Sequence, residues 1–299
     1  IHDADVRHLV TPFFMAHKGM EIAREYGVPV TASFHCQAEN ISSHLFLMNS
    51  TRFNTKIYKT LYSYVYKYCT AVHYPTQFIC DVFERECGHT TNHYVISNGV
   101  GKEFVRDPQP KPAEFADKKV ILFTGRYSRE KSHRVLIDGV AATRDPGRIQ
   151  LVFAGCGPLD EKLHEYAAKV LPAENQPLFR FFSRPEMLKV LNYADLYVHP
   201  AEIEIEAIAC LEAIKCGLVP VIADSPRSAT RYFALTEKNL FRYDSPEDLA
   251  SRIDYWLDDP DALERCRREY EGYSAQFDRD VCMDRMEGML RDAAASRKN

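Results

Sequence analysis

Residues 199–223 read HPAEIEIEAIACLEAIKCGLVPVIA. The apolar run Leu196–His199 ends where this stretch begins, and acids fill the short loop that follows. A helical pattern then runs to Cys216. Gly217 suits the left-handed conformation that ends a helix, and Val219 opens a second β-branched run to Ala223. Strand, acid loop, helix, glycine and strand make one unit of a parallel α/β sheet, whose ligands meet the carboxyl ends of the strands. Glu204 and Glu212 stand eight residues apart, a spacing that shares a helix face, but Glu204 is expected in the loop before the helix begins. Its carboxylate then points to the crevice. The backbone N–H groups of Glu206, Ala207 and Ile208 form the positive helix end, suited to a diphosphate.

Outward from this stretch the same alternation repeats in both directions. Toward the N-terminus, strands are predicted at Val120–Thr124, Gln150–Ala154 and Phe179–Phe182, with helices near Lys131–Thr143, Asp160–Val170 and Pro185–Asn192. Helices fill Pro246 to about Asp292. Gly101–Lys118 carries three prolines and no apolar period, as a linker does. Before it, strands near Val6–Val10, Pro29–Phe34, Ala71–Tyr74 and His93–Ile96 alternate with helices near Phe13–Tyr26, Thr51–Cys69 and Gln77–Glu86. The fold class is therefore α/β with two Rossmann-like domains. The expected boundaries are 1–107 for a short N-terminal domain lacking its first strands, 108–118 for the linker, 119–277 for the second domain and 278–299 for a C-terminal helix packing back toward the first.

A chain of 299 residues, 45% hydrophobic and 27% charged, is long enough for two such cores. A net charge of −4 gives no pull toward nucleic acid. No apolar run approaches the ~20 residues that span a bilayer, and Ile1 opens no basic-then-apolar leader. The expected location is the cytoplasm, or the inner face of a membrane. Nine cysteines without a CxxC pair fit reduced thiols.

Two further turns follow strands in the second half. Gly125–Lys131 is GRYSREK, where Arg126 offers a planar fork for phosphate oxygens and Lys131 a mobile point charge. Gly155-Cys156-Gly157-Pro158 is a tight turn whose missing side chains would let a ligand approach the backbone. The order strand-GR-x-x-x-EK, strand-G-x-G-P, then E-x7-E with LEA and G-x-P-V-I-A resembles glycosyltransferase family 4, whose members are retaining enzymes with two Rossmann-like domains. Ser97-Asn98-Gly99-Val100 and Phe34-His35 match the family more loosely. Among its branches, the resemblance leans toward bacterial diacylglycerol glucosyltransferases.

The resemblance implies a nucleotide-sugar donor of the UDP-glucose kind and a lipid or glycan acceptor. It assigns Glu204 to the sugar hydroxyls near the reacting carbon and Glu212 to the ribose. Arg126 and Lys131 correspond to the pair that neutralises the leaving diphosphate, and His35 to a histidine facing the donor sugar. Gly125, Gly155 and Asn98 fall at donor-binding positions. The departing phosphate is expected to help deprotonate the acceptor. Two positions depart from the family: Ser132 stands where glycine is common, and Glu204-Ile205-Glu206-Ala207 replaces E-P-F-G. No cofactor or metal is expected, because Asp3-Ala4-Asp5 and Asp278-Arg279-Asp280 do not sit on a loop after a strand as a metal-binding DxD does.

Residues 51–69 suggest a further partner. No Asp or Glu occurs from Asn40 to Cys80, while Arg52, Lys56, Lys59 and Lys67 interleave with Tyr58, Tyr62, Tyr64, Tyr66 and Tyr68. Such a helix can rest on an anionic membrane surface. It can equally be a core helix with inward tyrosines and solvated lysines. Surface acids, surface cations and a strand-end histidine are the plain alternatives for the site residues. A non-catalytic nucleotide-sugar-binding remnant or regulatory partner remains the rival to an enzyme.

Overall fold

The structure is a computed structural model that describes residues 3–43, 45 and 47–298. It divides into two compact units, Ile1–Gly99 with Arg279–Asn299, and Val100–Asp278. In the first, β1 (Arg7–Leu9), β2 (Val30–Ser33), β3 (Ala71–Tyr74) and β4 (His93–Val95) lie in that order, every pair parallel. Each strand returns through a helical crossover, as parallel pairing requires. β2 and β3 are buried at every residue, including the polar side chains of Thr31, Ser33 and His73. Phe34, directly after β2, is wholly buried and packs its ring 4.6 Å from Phe83, 5.4 Å from Tyr66 and 5.7 Å from Tyr74. Rings at these separations add about 0.5–1.5 kcal/mol per pair beyond burial, which pins the end of β2.

The helix Arg279–Ala295 belongs to this first unit. Cys282 and Met289 pack with Ala71 and Ile96, Tyr94 donates to Asp292 at 3.0 Å, and Arg285 donates to the Val95 carbonyl at 2.8 Å. Gly99 takes φ +73°, and a Cβ there would meet the Arg279 backbone at 2.6 Å. The stretch Gly101–Lys118 is docked on the second unit. Lys111 pairs with Asp195 at 2.6 Å, the Asp107 N–H donates to Asn192 at 2.6 Å, and Phe115 joins the second core. The boundaries between the units thus lie at 99/100 and 278/279, outside residues 108–118, because these contacts tie the proline-rich segment down.

The second sheet has the order β10-β9-β8-β5-β6-β7, all parallel. Its strands are β5 (Lys119–Thr124), β6 (Ile149–Ala154), β7 (Leu178–Arg180), β8 (Leu196–His199), β9 (Pro220–Ala223) and β10 (Leu240–Phe241). Every residue of β6, β8 and β9 is buried, with helices covering both faces. Chain order reverses between β5 and β8, and at such a switch point the loops diverge and leave a crevice.

The predicted elements correspond closely, with three differences. The helix expected through Cys69 stops at Tyr64: Val65 leaves helical geometry at φ −133°, and a 3-10 turn, Tyr66–Tyr68, lets the Tyr66 hydroxyl reach the Ser33 carbonyl at 3.1 Å. A short helix at Ala38–Ser43 and the two-residue strand β10 were not expected. Neither is long enough to show a period.

Candidate active site

The loops after β5 and β8 flank the switch point and carry most of the predicted site. After β5, Gly125 takes φ +156°, and a Cβ there would lie 2.9 Å from the Phe123 ring. Arg126 is exposed and its side chain has no partner among the described residues. Tyr127 anchors the loop by donating its buried hydroxyl to the Phe153 carbonyl at 2.7 Å and its N–H to the Cys156 carbonyl at 2.9 Å. Gly155 and Gly157 are explained by this neighbour: their Cβ atoms would sit 1.9 Å from the Gly125 oxygen and 2.5 Å from the Tyr127 oxygen. The Gly155–Gly157 turn is bare because another loop fills the space, which corrects the expectation that the space serves a ligand. A 3-10 turn, Arg129–Lys131, then leads through Ser132 at φ +52° into the helix His133–Ala141.

After β8 the acid loop is clamped on both sides. The Glu202 N–H donates to the Glu130 carbonyl at 2.8 Å, and the Ala229 N–H to the Glu204 carbonyl at 2.8 Å. Arg227 forms an ion pair with Glu202. The Glu204 carboxylate, only 14% exposed, pairs with the Lys131 ammonium and lies 3.3 Å from His199 Nε2. Burial alone would push this carboxyl up, but Lys131 and His199 outweigh it and hold the group at about 2. Glu204 is therefore a fixed carboxylate at neutral pH. His199 continues inward, with Nδ1 3.4 Å from the Tyr197 hydroxyl, itself 2.9 Å from Thr124 Oγ1. Burial lowers the His199 pKa.

The helix Ile208–Lys215 starts at Ala207, which takes φ +62° and offers no side-chain cap. The N–H groups of Ala207, Ile208 and Ala209 have no partner among the described residues, so the positive helix end remains open to an anion. Ser132 and Ala207 are the two non-glycine residues with positive φ among those described. Backbone strain of about 1–3 kcal/mol per residue is typical of binding sites. These are also the two positions where the chain departs from the family's glycines. Glu206 is buried beside Ala207, and Glu212 is half-buried on the helix.

Gly125, Arg126, Lys131, Gly155, Glu204, Glu206, Ala207, Ile208 and Glu212 thus all belong to the second unit. His35, exposed after β2, and half-buried Asn98, after β4, belong to the first. His199 and His133 carry no periodic signal and were missed. His133 is buried among Phe123, Tyr127 and Phe153 with neither ring nitrogen hydrogen-bonded, and burial with nearby Lys131 and His199 lowers its pKa to about 3. The adjoining strand-turn-helix pattern gave no warning that a histidine would be inside. Among the described residues, Cys80, Glu84 and His93 bring metal-ligating atoms within 4.8 Å of one another. Glu84 Oε1 there already accepts from the Thr91 N–H at 2.7 Å and its hydroxyl at 2.8 Å. Of the tyrosines in 51–69, Tyr58 and Tyr66 point into the core, whereas Arg52, Lys56, Lys59 and Lys67 are exposed.

Residues 105–272 match the family model for glycosyl transferases group 1, and residues 1–104 that for glycosyltransferase family 4. A GDP-mannose-dependent alpha-mannosyltransferase of Corynebacterium glutamicum is 26% identical over 285 residues, 91% of this chain and 63% of that protein. The alpha-monoglucosyldiacylglycerol synthase of Streptococcus pneumoniae is 24% identical over 74% of this chain and 52% of that one. The chain spans less than two thirds of either relative. The solved catalytic domain of the Helicobacter pylori cholesterol-alpha-glucosyltransferase is 43% identical over 53% of this chain and 97% of that domain, with a TM-score of 0.50. Anabaena HepE, solved with UDP and glucose, shares the fold at a TM-score of 0.79 and 18% identity, over 97% of this chain and 79% of that one.

Proposed function

The chain belongs to the group 1 glycosyl transferases, and from that premise we propose that it moves glucose from UDP-glucose to a lipid hydroxyl with retention of configuration. One observation carries the reading: at the β5/β8 switch point, the Lys131–Glu204 pair stands with an Arg126 and a helix start that have no partners among the described residues. Breaking the bond to a nucleoside diphosphate leaves an anion and a cationic sugar carbon. Arg126, Lys131 and the N–H groups of Ala207 and Ile208 meet the anion, while Glu204 accepts from sugar hydroxyls beside the reacting carbon. Glu212 takes the ribose, and His35 and Asn98 are assigned to the donor by the family resemblance. These cations supply the countercharge, so the reaction requires no metal. The departing phosphate takes the proton of the acceptor hydroxyl.

Glucose, lipid and α-retention are supported by the names of the H. pylori and S. pneumoniae proteins, and UDP by the ligand in HepE. The mannosyltransferase supports GDP-mannose as the rival donor. An anionic membrane surface is supported by Arg52, Lys56 and Lys59, which line one groove of the helix Thr51–Tyr64, and by exposed Phe13, Phe14 and Met15 in the same unit. Basic and apolar groups together suit a lipid headgroup boundary. No helix among the described residues is long and apolar enough to cross a membrane.

The test incubates the 299-residue chain with labelled UDP-glucose or GDP-mannose and anionic vesicles containing cholesterol or diacylglycerol. Labelled α-glucolipid from UDP-glucose is expected. Mannolipid alone, product only on a soluble glycan, or nucleotide binding without turnover would overturn it, the last in favour of a non-catalytic binding protein.

A further inference from the structure

The first sheet ends in a polar chain, buried at Thr31, Ser33 and His73 and half-buried at His8, that the donor site does not use. His8 Nδ1 lies 2.9 Å from Thr31 Oγ1, and His8 Nε2 lies 2.9 Å from Ser33 Oγ. Ser33 Oγ is 2.8 Å from His73 Nδ1, and His73 Nε2 is 2.6 Å from the Ile96 carbonyl. A carbonyl only accepts, so Nε2 of His73 carries its proton. If the ring is neutral, Nδ1 accepts from the Ser33 hydroxyl, whose oxygen accepts from His8 Nε2–H, while His8 Nδ1 accepts from the Thr31 hydroxyl. Four bonds then use four protons, all in one direction. A proton added at His73 Nδ1 leaves that ring charged, reverses the three bonds from His73 to Thr31, and turns the Thr31 hydroxyl to the Arg7 carbonyl, a contact that at 3.5 Å is the weakest of the set.

The surroundings favour the neutral form. Burial lowers the pKa of His8 and takes that of His73 to about 4. The titratable groups acting on these rings are His35 and, for His73, His8; no described carboxylate or basic side chain offsets them. His73 also joins the two loops that follow its neighbouring strands. Its carbonyl accepts from the Phe34 N–H at 2.8 Å, its Nε2 holds Ile96, and its ring meets the His35 ring edge-on with centroids 5.6 Å apart. Phe34 precedes His35, and Ile96 lies two residues before Asn98.

We propose that His8, Ser33 and His73 are positioning residues, a one-directional hydrogen-bond chain that sets the loops bearing His35 and Asn98 at the carboxyl ends of the first sheet. This rests on the transfer reading for its effect on turnover, though not for the chain itself. Networks of this kind fix one arrangement only when every member is satisfied. Ser33 is the member to remove, since alanine deletes the bridging hydroxyl and little volume.

The tautomers are read from imidazole 15N shifts in the full chain labelled at histidine, with His8→Gln and His73→Gln assigning the signals. At pH 7.5, His8 and His73 should both be neutral with the proton on Nε2. Ser33→Ala should mix the tautomers and lower kcat by about tenfold or more while UDP affinity stays within about twofold, and Ser33→Thr should restore both. A His73 proton on Nδ1, or Ser33→Ala with wild-type signals and kcat, overturns the proposal. If the wild type transfers no sugar, the preceding reading fails, and the imidazole signals still judge the chain.

Discussion

Replacing Lys131 by methionine keeps the aliphatic stem and removes the charge that faces Glu204. The carboxylate is 14% exposed and held at about 2 instead of its usual 4.5. At 1.36 kcal/mol per unit, that difference corresponds to about 3 kcal/mol of stabilisation of the charged form. That net figure combines Lys131, His199 and the opposing burial; loss of one partner from a buried pair costs about 3–5 kcal/mol, and the lower end applies here because His199 stays beside the carboxylate. For a unit of this size about 3 kcal/mol lowers the melting temperature by about 6–12 °C. The folded-state pKa lies below the unfolded one, so this contribution is complete above pH 4.5 and fades as pH falls toward 2. Urea unfolding of Lys131→Met and wild type should therefore differ by about 3 kcal/mol at pH 7 and by progressively less below pH 4.5. Adding Glu204→Gln should recover much of the loss, because no buried charge is then left unpaired. A difference under about 1 kcal/mol at pH 7, or no recovery in the double variant, would refute the reasoning.

Ser132→Gly and Ala207→Gly each remove a side chain from a left-handed position, and each should raise the unfolding free energy by about 0.5–1 kcal/mol; a decrease in both would show that the strain is absent. Gly155→Ala places a methyl group against the Gly125 carbonyl, and should destabilise by about 1–3 kcal/mol and weaken UDP binding in the same titration, whereas a neutral effect would mean that the two turns part freely. His73 and His133 are held neutral by burial, at about 4 and about 3. Because the unfolded chain binds more protons below pH 6.5, stability should be complete above that pH and fall as it drops toward 4; His73→Gln should flatten the loss, and an unchanged profile would contradict it.

Much of this architecture was legible because continuous apolar runs such as Val120–Thr124 and Leu196–His199 admit little but buried parallel strands, while Gly125 marks the end of the first and Gly217 the end of the helix that follows the second. The acid loop was legible through the spacing of Glu204 and Glu212. Other features depend on neighbours distant in sequence. Gly155 looks like a ligand turn until Gly125 is placed against it, and the docking of Phe115 is invisible in a proline-rich segment. Tyr58 and Tyr66 turn inward for hydrogen bonds to Glu39 and the Ser33 carbonyl, which a count of basic and aromatic residues does not distinguish from an outward face. The His8–Ser33–His73 chain needs the register Thr31↔Ala71 and its parallel neighbours to align three strand ends. Positive φ at Ser132 and Ala207 was hinted at only by the glycines expected there.

The central claim is that the crevice between β5 and β8 binds a nucleotide through Arg126, Lys131 and the start of the helix at Ile208. Calorimetric titration of UDP and GDP into the 299-residue chain and into its Arg126→Ala variant tests it most directly. Saturable UDP binding, at least about tenfold tighter than GDP and weakened about tenfold or more by Arg126→Ala, is expected from a charge-assisted phosphate contact. UDP binding left unchanged by the substitution, or no binding of either nucleotide, would contradict it.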